Sequence, residues 1–216
     1  WNVAVWLQPK GPESAYPMNP ADIDKLTLHH SEFNTDIVFK PTDFTQVNHA
    51  LNETMVSRAV RLLDVKPEHK VADFFCGLGN FTLPLARCAA KVTGLEGSEG
   101  MVERARAGAA ANGLADKTNF IARNLFTWSE DDWNELWDTS GGIDRVLIDP
   151  PREGAQALCQ VLAATDKRPA RVVYVSCNPA TLARDCAILH HEGGWHIRAA
   201  GVMNMFPHTG HVESMA

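Results

Sequence analysis

No stretch of the 216-residue sequence is long and apolar enough to span a bilayer, and no basic-then-apolar leader of the secretory kind opens it. A membrane partner is therefore not expected, and a reducing cytoplasm is the expected compartment. The five cysteines, Cys76, Cys88, Cys159, Cys177 and Cys186, are odd in number and show no C-x-x-C spacing. That pattern argues against a disulfide framework and against a thiolate zinc or iron–sulfur site. Positive charge is also scarce. Twenty Lys and Arg face 26 Asp and Glu, for a net charge of −6. This is the wrong sign for a module that holds nucleic acid by charge alone, and no Lys/Arg block stands out. If the substrate is nucleic acid, another domain should supply most of the grip. No internal repeat or low-complexity tract is visible. An initiator methionine is missing too. The chain opens on Trp1-Asn2-Val3-Ala4-Val5-Trp6-Leu7, which reads as the interior of a strand. It is expected to be a fragment of a longer protein.

Hydrophobic residues make up 45% of the chain, enough for a sizeable core. The rest is organised around Val71-Ala72-Asp73-Phe74-Phe75-Cys76-Gly77-Leu78-Gly79-Asn80-Phe81. This reads as a buried strand over 70–75, a glycine turn, and a helix with Asn80 as its cap. Gly77 and Gly79 stand where a chain needs positive φ or where a ligand approaches bare backbone. A second short strand over 91–95 is followed by Glu96, at the tip where a nucleoside-binding sheet offers a carboxylate to ribose hydroxyls. The pyrophosphate fingerprint G-x-G-x-x-G is incomplete, because Thr82 stands at its third glycine. A dinucleotide needs close approach at that helix start, whereas S-adenosylmethionine has no phosphate to seat there. The pattern therefore predicts a nucleoside cofactor and disfavours a nicotinamide dehydrogenase.

Residues 1–43 are rich in proline and β-prone residues. They predict a loop over 8–20 and a hairpin over 26–32 and 36–40 around Phe33-Asn34-Thr35. This is a small β appendage or the end of a preceding domain, with the main domain at 44–216. A helix follows over 48–63. Strands are expected over 70–75, 91–95, 118–123, 143–148 and 171–175. Helices are expected over 80–90, 99–112, 129–137, 154–164 and 179–191. Such alternation means a parallel, doubly wound α/β sheet. Two last β runs, 195–203 and 208–216, are joined too closely for a helical crossover, so they should pair antiparallel. A mostly parallel sheet with an antiparallel C-terminal strand resembles the class I (Rossmann-like) S-adenosylmethionine methyltransferase fold.

The strand tips carry Asp73, Glu96, Asn124, Asp149 and Ser176-Cys177-Asn178, and five polar tips in register suggest a lined pocket. Asp149-Pro150-Pro151-Arg152 is a rigid turn suited to gripping a flat base, or simply a stiff loop. Cys177 precedes Pro179, an apt first helical residue. A thiol at a helix N-terminus is biased toward thiolate. Cys76 reads as structural, and Cys88, Cys159 and Cys186 as helix residues. His208, His211 and Glu213 could be read as metal ligands, and a β conformation would put His211 and Glu213 on one face, but Pro207 and Gly210 leave no helix to align His208, and no metal is expected. Phe44 and Gln46 read on their own chemistry as a helix lead-in.

Five runs occur in order: Phe44-Thr45-Gln46-Val47-Asn48, the 73–81 run, Asp149-Pro150-Pro151-Arg152, Ser176-Cys177-Asn178-Pro179, and Phe206-Pro207-His208-Thr209-Gly210-His211-Val212-Glu213-Ser214. Together they resemble the bacterial RNA (uracil-5-)-methyltransferase family, over nearly all of the chain from Phe44 onward. The first and last runs are most similar to the branch acting on 23S ribosomal RNA, with the transfer-RNA branch second. The resemblance implies S-adenosyl-L-methionine as cofactor, S-adenosyl-L-homocysteine as product, and an RNA substrate. It implies cofactor contacts from Gln46, Phe75, Asn80, Glu96, Asn124 and Asp149, with Cys177 as nucleophile and Glu213 as base. Many members carry an upstream β-barrel RNA-binding domain, and the ribosomal branch often has a four-cysteine iron–sulfur site there. The five cysteines here do not match that site, so no cluster is expected in this fragment, and a monomer is.

The chemistry accounts for these residue types. C5 of uracil is a poor nucleophile, and a thiolate adding to C6 turns the ring into an enolate rich in electrons at C5. The C5 proton must then leave to a carboxylate before the thiolate can. The base must be splayed out of any stack to reach such a pocket. Two rivals stay open. An exocyclic-amine methyltransferase would use the Asp-Pro-Pro turn and need no cysteine. A fragment deprived of its RNA-binding domain could hold cofactor without turning over.

Overall fold

The computed structural model describes residues 3–23 and 26–216. Trp1 and Asn2, part of the expected opening strand, lie outside the described residues. The rest of that strand shrinks to β1 (Trp6–Leu7), which pairs antiparallel with β2 (Tyr16–Pro17). A second hairpin joins β3 (Thr27–His30) to β4 (Thr35–Val38) through Asn34 at φ 47°. Its period-two pattern buries Leu28, His30, Thr35 and Ile37. Helix α1 (His49–Leu63) starts where the Asn48 side chain accepts the Leu51 N–H.

The alternating part follows as β5 (Lys70–Phe74), α2 (Thr82–Cys88), β6 (Lys91–Glu96), α3 (Glu99–Ala111), β7 (Thr118–Ala122) and α4 (Glu130–Ser140). Then come β8 (Arg145–Ile148), α5 (Gln156–Ala164), β9 (Arg171–Ser176), α6 (Pro179–Ala187), β10 (Gly201–Met203) and β11 (Glu213–Met215). The strands form one sheet in the order β10-β11-β9-β8-β5-β6-β7. β5 to β9 are mutually parallel, and β11 is antiparallel to both β9 and β10. The chain winds outward from β5 to β7, then returns to β8 on the other side of β5. That reversal opens a crevice at the carboxyl ends of the strands.

Successive strand residues feed opposite faces. Val71, Leu147, Val173 and Val175 pack with α1, α2 and α3, while Ala72, Phe74, Val146, Ile148 and Tyr174 pack with α4 and α5. Strands covered on both sides need apolar side chains on both sides, which is why they read as continuous apolar runs. Gly94 in β6 is a packing requirement. A Cβ there would lie 2.8 Å from the Phe120 ring and 2.9 Å from Cys76 Sγ. Among the described residues, no helix is long and apolar enough to cross a membrane.

Three expectations need correction. The β runs over 195–203 and 208–216 contract to three residues each. Pro207, Gly210 and a left-handed His208 (φ 66°) turn the intervening segment into a loop against the crevice. Asn80 does not cap α2. Phe81 holds the cap position without a side-chain bond, and the Asn80 amide is engaged elsewhere. Asp73 is not a pocket-facing tip, because it is fully buried under Thr82.

Candidate active site

At the crevice lies a cavity of about 520 Å³, within the usual range for small-molecule sites. The eight residues to which the family resemblance gave roles all line it: Gln46, Phe75, Asn80, Glu96, Asn124, Asp149, Cys177 and Glu213. Leu28 and Ile37 of the hairpin, Met101 of α3 and Phe206 complete parts of the wall. Gly77 and Gly79 take φ of 55° and 98°, as the turn requires, and Phe75 joins them at φ 65°. A left-handed conformation is costly for an aromatic residue and is found where function holds it. It turns the Phe75 ring toward Phe126, edge to face at 5.7 Å between centroids.

The polar groups are held in specific orientations. Glu96 accepts the Gly77 N–H through Oε2 and the Ser98 N–H through Oε1, both at 3.1 Å. A carboxylate oxygen takes more than one donor, so both remain able to accept from a ligand. Asn124 Oδ1 accepts the Phe126 N–H at 3.0 Å. Gln46 is buried, and its Oε1 has no partner among the described residues. Thr82, at the third fingerprint position, donates to Asp73 Oδ2 at 2.5 Å and so joins the start of α2 to β5 through a side chain where a glycine would bring the backbones together. A glycine turn, an oriented acid, aromatic rings and an orphaned amide oxygen fit a nucleoside ligand.

Beside this half stand the Cys177 thiol and two acids, Asp149 and Glu213, with Asp73 buried behind them. β11 pairs Ser214 with Ser176 and Met215 with Val175. An antiparallel strand begins where its neighbour ends, so Glu213 opens β11 beside Cys177, which follows β9. Ser214 Oγ donates to the Ser176 carbonyl at 3.0 Å and locks that register. Burial raises the Glu213 carboxyl to about 7. Burial, then the charges of Glu213 and Asp73, raise Asp149 to about 8. Asp73, buried beyond the wall, rises to about 7 for the first of these reasons. The Cys177 thiol is also raised, first by burial and then by Glu213 and Asp149, with the Arg152 guanidinium opposing. The expected thiolate bias is thus reversed in the unliganded chain. Asn178 caps α6, and Cys177 lies one residue outside it, where burial and then the Glu213 and Asp149 carboxylates set the thiol against ionising.

The Asp149–Arg152 turn is tied to the start of α6. The Arg152 carbonyl accepts from Asn178 Nδ2 at 3.1 Å and from Thr181 Oγ1 at 3.2 Å. Deeper, the fully buried Asp185 accepts from Tyr174 Oη at 2.6 Å and from the Ala155 N–H at 2.8 Å. These bonds fix the two loops that carry Asp149 and Cys177. His208 and His211 are exposed, and among the described residues no group of three or more His, Cys, Asp or Glu is arranged to hold a metal ion.

Comparison with known families is decisive for the family: the one described as tRNA (uracil-5-)-methyltransferase matches residues 24–216. The chain belongs to that family. Two family relatives bear the name 23S rRNA (uracil(1939)-C(5))-methyltransferase RlmD. The one from Bordetella avium is 56% identical over 217 residues, covering 100% of this chain and 45% of the relative. The one from Ralstonia pickettii is 54% identical over 223 residues, covering 100% and 48%. The chain thus spans about half the length of the curated relatives it matches. Among solved structures, the Pyrococcus abyssi tRNA (uracil-54, C5)-methyltransferase in complex with S-adenosyl-L-homocysteine aligns with a TM-score of 0.70. It is 29% identical, over 88% of this chain and 43% of that one. TrmN from Thermus thermophilus, at 24% identity and a TM-score of 0.57, shares the fold.

The sequence alone missed residues that shape this cavity. His30 and Asn52 contact Asn80, and Leu28 and Ile37 join the wall, although the hairpin was read as an appendage. The alternation over β3 announced an inward face, but nothing in it told a core position from a cavity position.

Proposed function

We propose that the chain is the catalytic part of an S-adenosylmethionine-dependent enzyme that methylates C5 of uridine in 23S ribosomal RNA. The observation that carries this reading is the pairing of β11 with β9, which brings a carboxyl of about pKa 7 and a thiol into one cavity with the glycine turn and Glu96. The family match and the names of the RlmD relatives support the substrate class. Residues 44–216 form the catalytic unit in this reading, and the 27–38 hairpin adds Leu28 and Ile37 to its wall.

Glu96, already oriented by two backbone N–H groups, receives the ribose hydroxyls. Gln46, Phe75, Asn80, Asn124 and Asp149 hold the remainder of the cofactor. The cofactor supplies an electrophilic methyl group. Cys177 supplies the electrons: its sulfur bonds to C6 of uracil, the C5–C6 π pair shifts, and C5 becomes the nucleophilic end of an enolate. After C5 is alkylated, Glu213 removes the C5 proton. Those electrons re-form the C5–C6 double bond and expel the Cys177 sulfur. A carboxyl near pKa 7 suits this task, since it is substantially ionised at neutral pH yet basic enough to take a carbon-bound proton. Thiol ionisation must accompany substrate binding, with Arg152 as the cationic neighbour that favours it.

Release of tritium from C5-labelled uridine tests the reading, with the full-length protein and both 23S and transfer RNA. Release from 23S RNA is expected. Release from transfer RNA alone would reassign the substrate, and methylation without release would replace this chemistry with attack on another atom.

A further inference from the structure

Three polar side chains from three elements meet at one wall of the cavity. His30, the last residue of β3, is 1% exposed, and Asn52 of α1 is 0% exposed. Asn80 follows the glycine turn and lines the cavity. Around the first two, Leu28, Ile37, Met55 and Val56 form apolar core. An imidazole and a carboxamide are expensive to bury there unless their hydrogen bonds are met. Both direct those bonds to Asn80. Asn80 Oδ1 lies 3.0 Å from His30 Nε2 and accepts from Asn52 Nδ2 at 2.9 Å, while Asn80 Nδ2 donates to Asn52 Oδ1 at 3.0 Å.

The two-bond pairing of the asparagines would be met equally well with both amides turned over. His30 breaks that tie. Its Nδ1 has no partner among the described residues. Burial lowers the ring's pKa and favours its neutral form, and a proton on Nε2, facing Asn80 Oδ1, leaves at Nδ1 an unpaired acceptor in place of the costlier unpaired donor. With Asn80 Oδ1 filled by two donors and one Nδ2 hydrogen given to Asn52, the second Nδ2 hydrogen is the free valence. Asn80 thus offers the cavity a donor and no acceptor.

We propose that His30 and Asn52 are positioning residues that fix the Asn80 carboxamide with its N–H toward an acceptor on the bound ligand. The proposal rests on the reading of this cavity as the S-adenosylmethionine site. It makes the hairpin a working part of ligand binding. The test is S-adenosyl-L-homocysteine affinity by calorimetry on the full-length protein, in a double-mutant cycle. His30→Leu should weaken binding about tenfold when Asn80 is present, as for loss of a buried hydrogen bond. In an Asn80→Ala background the same change should cost less than about twofold, since no amide remains to orient. His30→Gln, which keeps an N–H donor, should recover most of the affinity. If His30→Leu does not fold, Asn52→Leu enters the same cycle from the helix side. Equal losses with and without Asn80, or no loss in either background, would overturn the proposal. A wild-type protein that does not bind S-adenosyl-L-homocysteine would overturn the cofactor reading and this inference with it.

Discussion

Replacing Glu213 by glutamine should make the unliganded protein more stable, and increasingly so as pH rises. The buried carboxyl has its pKa raised from an ordinary 4.5 to about 7, with burial as the cause. A raised carboxyl pKa means that the folded state favours the protonated form. Its contribution to stability is therefore fully present below the unfolded value and is lost as pH climbs through the folded value. For Glu213 the window runs from about 4.5 to about 7. The full loss is about 3.5 kcal/mol, at about 1.4 kcal/mol per unit. Glutamine keeps the shape and never ionises, so it never meets this loss. By linkage, the advantage of Glu213→Gln over the wild type should grow by about 2.5 kcal/mol between about pH 5 and about pH 8. Urea denaturation of both proteins at the two pH values reads this directly. An advantage that is the same at both would show that the carboxyl is not held out of water, and would remove the physical basis for its role as base.

The other expectations follow from the same geometry. Glu96→Ala should weaken S-adenosyl-L-homocysteine binding by about 1.5–3 kcal/mol for each charge-assisted bond lost, and unchanged affinity by calorimetry would sink its role at the ribose. Arg152→Gln should raise the Cys177 thiol further, since the guanidinium is the cation opposing Glu213 and Asp149 there. Alkylation of Cys177 at mildly alkaline pH should then slow, and an unchanged rate would remove Arg152 from the thiol's surroundings.

Much of the fold was legible because buried parallel strands need apolar side chains on both faces, and α3, α4 and α6 open on capping side chains of their own, Ser98, Ser129 and Asn178. Gly77 and Gly79 announced the turn through their conformational freedom, and both take positive φ. Failures arose where long-range pairing decides. Residues 195–200 are β-prone, yet only Gly201–Met203 finds a partner in β11. Asn80 looked like a cap because capping is local chemistry, whereas its partners lie 28 and 50 residues away. Asp73 and Glu96 both looked like strand-tip acids, but one is sealed beneath Thr82 and the other faces the cavity. The acid constant of Cys177 was unreadable for a similar reason. The helix start is local, while the burial that raises the thiol, and the carboxylates that add to it from after β8 and from β11, come from the fold around it.

The central claim is that Cys177 and Glu213 act in succession on one uracil ring. Incubation of the full-length Glu213→Gln protein with 23S RNA and methyl-labelled cofactor, followed by a denaturing gel, tests it most directly. Sulfur attack and methyl transfer both precede removal of the C5 proton, so the variant should stall afterwards. It should accumulate a labelled, slow-migrating protein–RNA band that is absent when Cys177 is also replaced by alanine. Normal turnover by Glu213→Gln, or a band that persists without Cys177, would contradict the account.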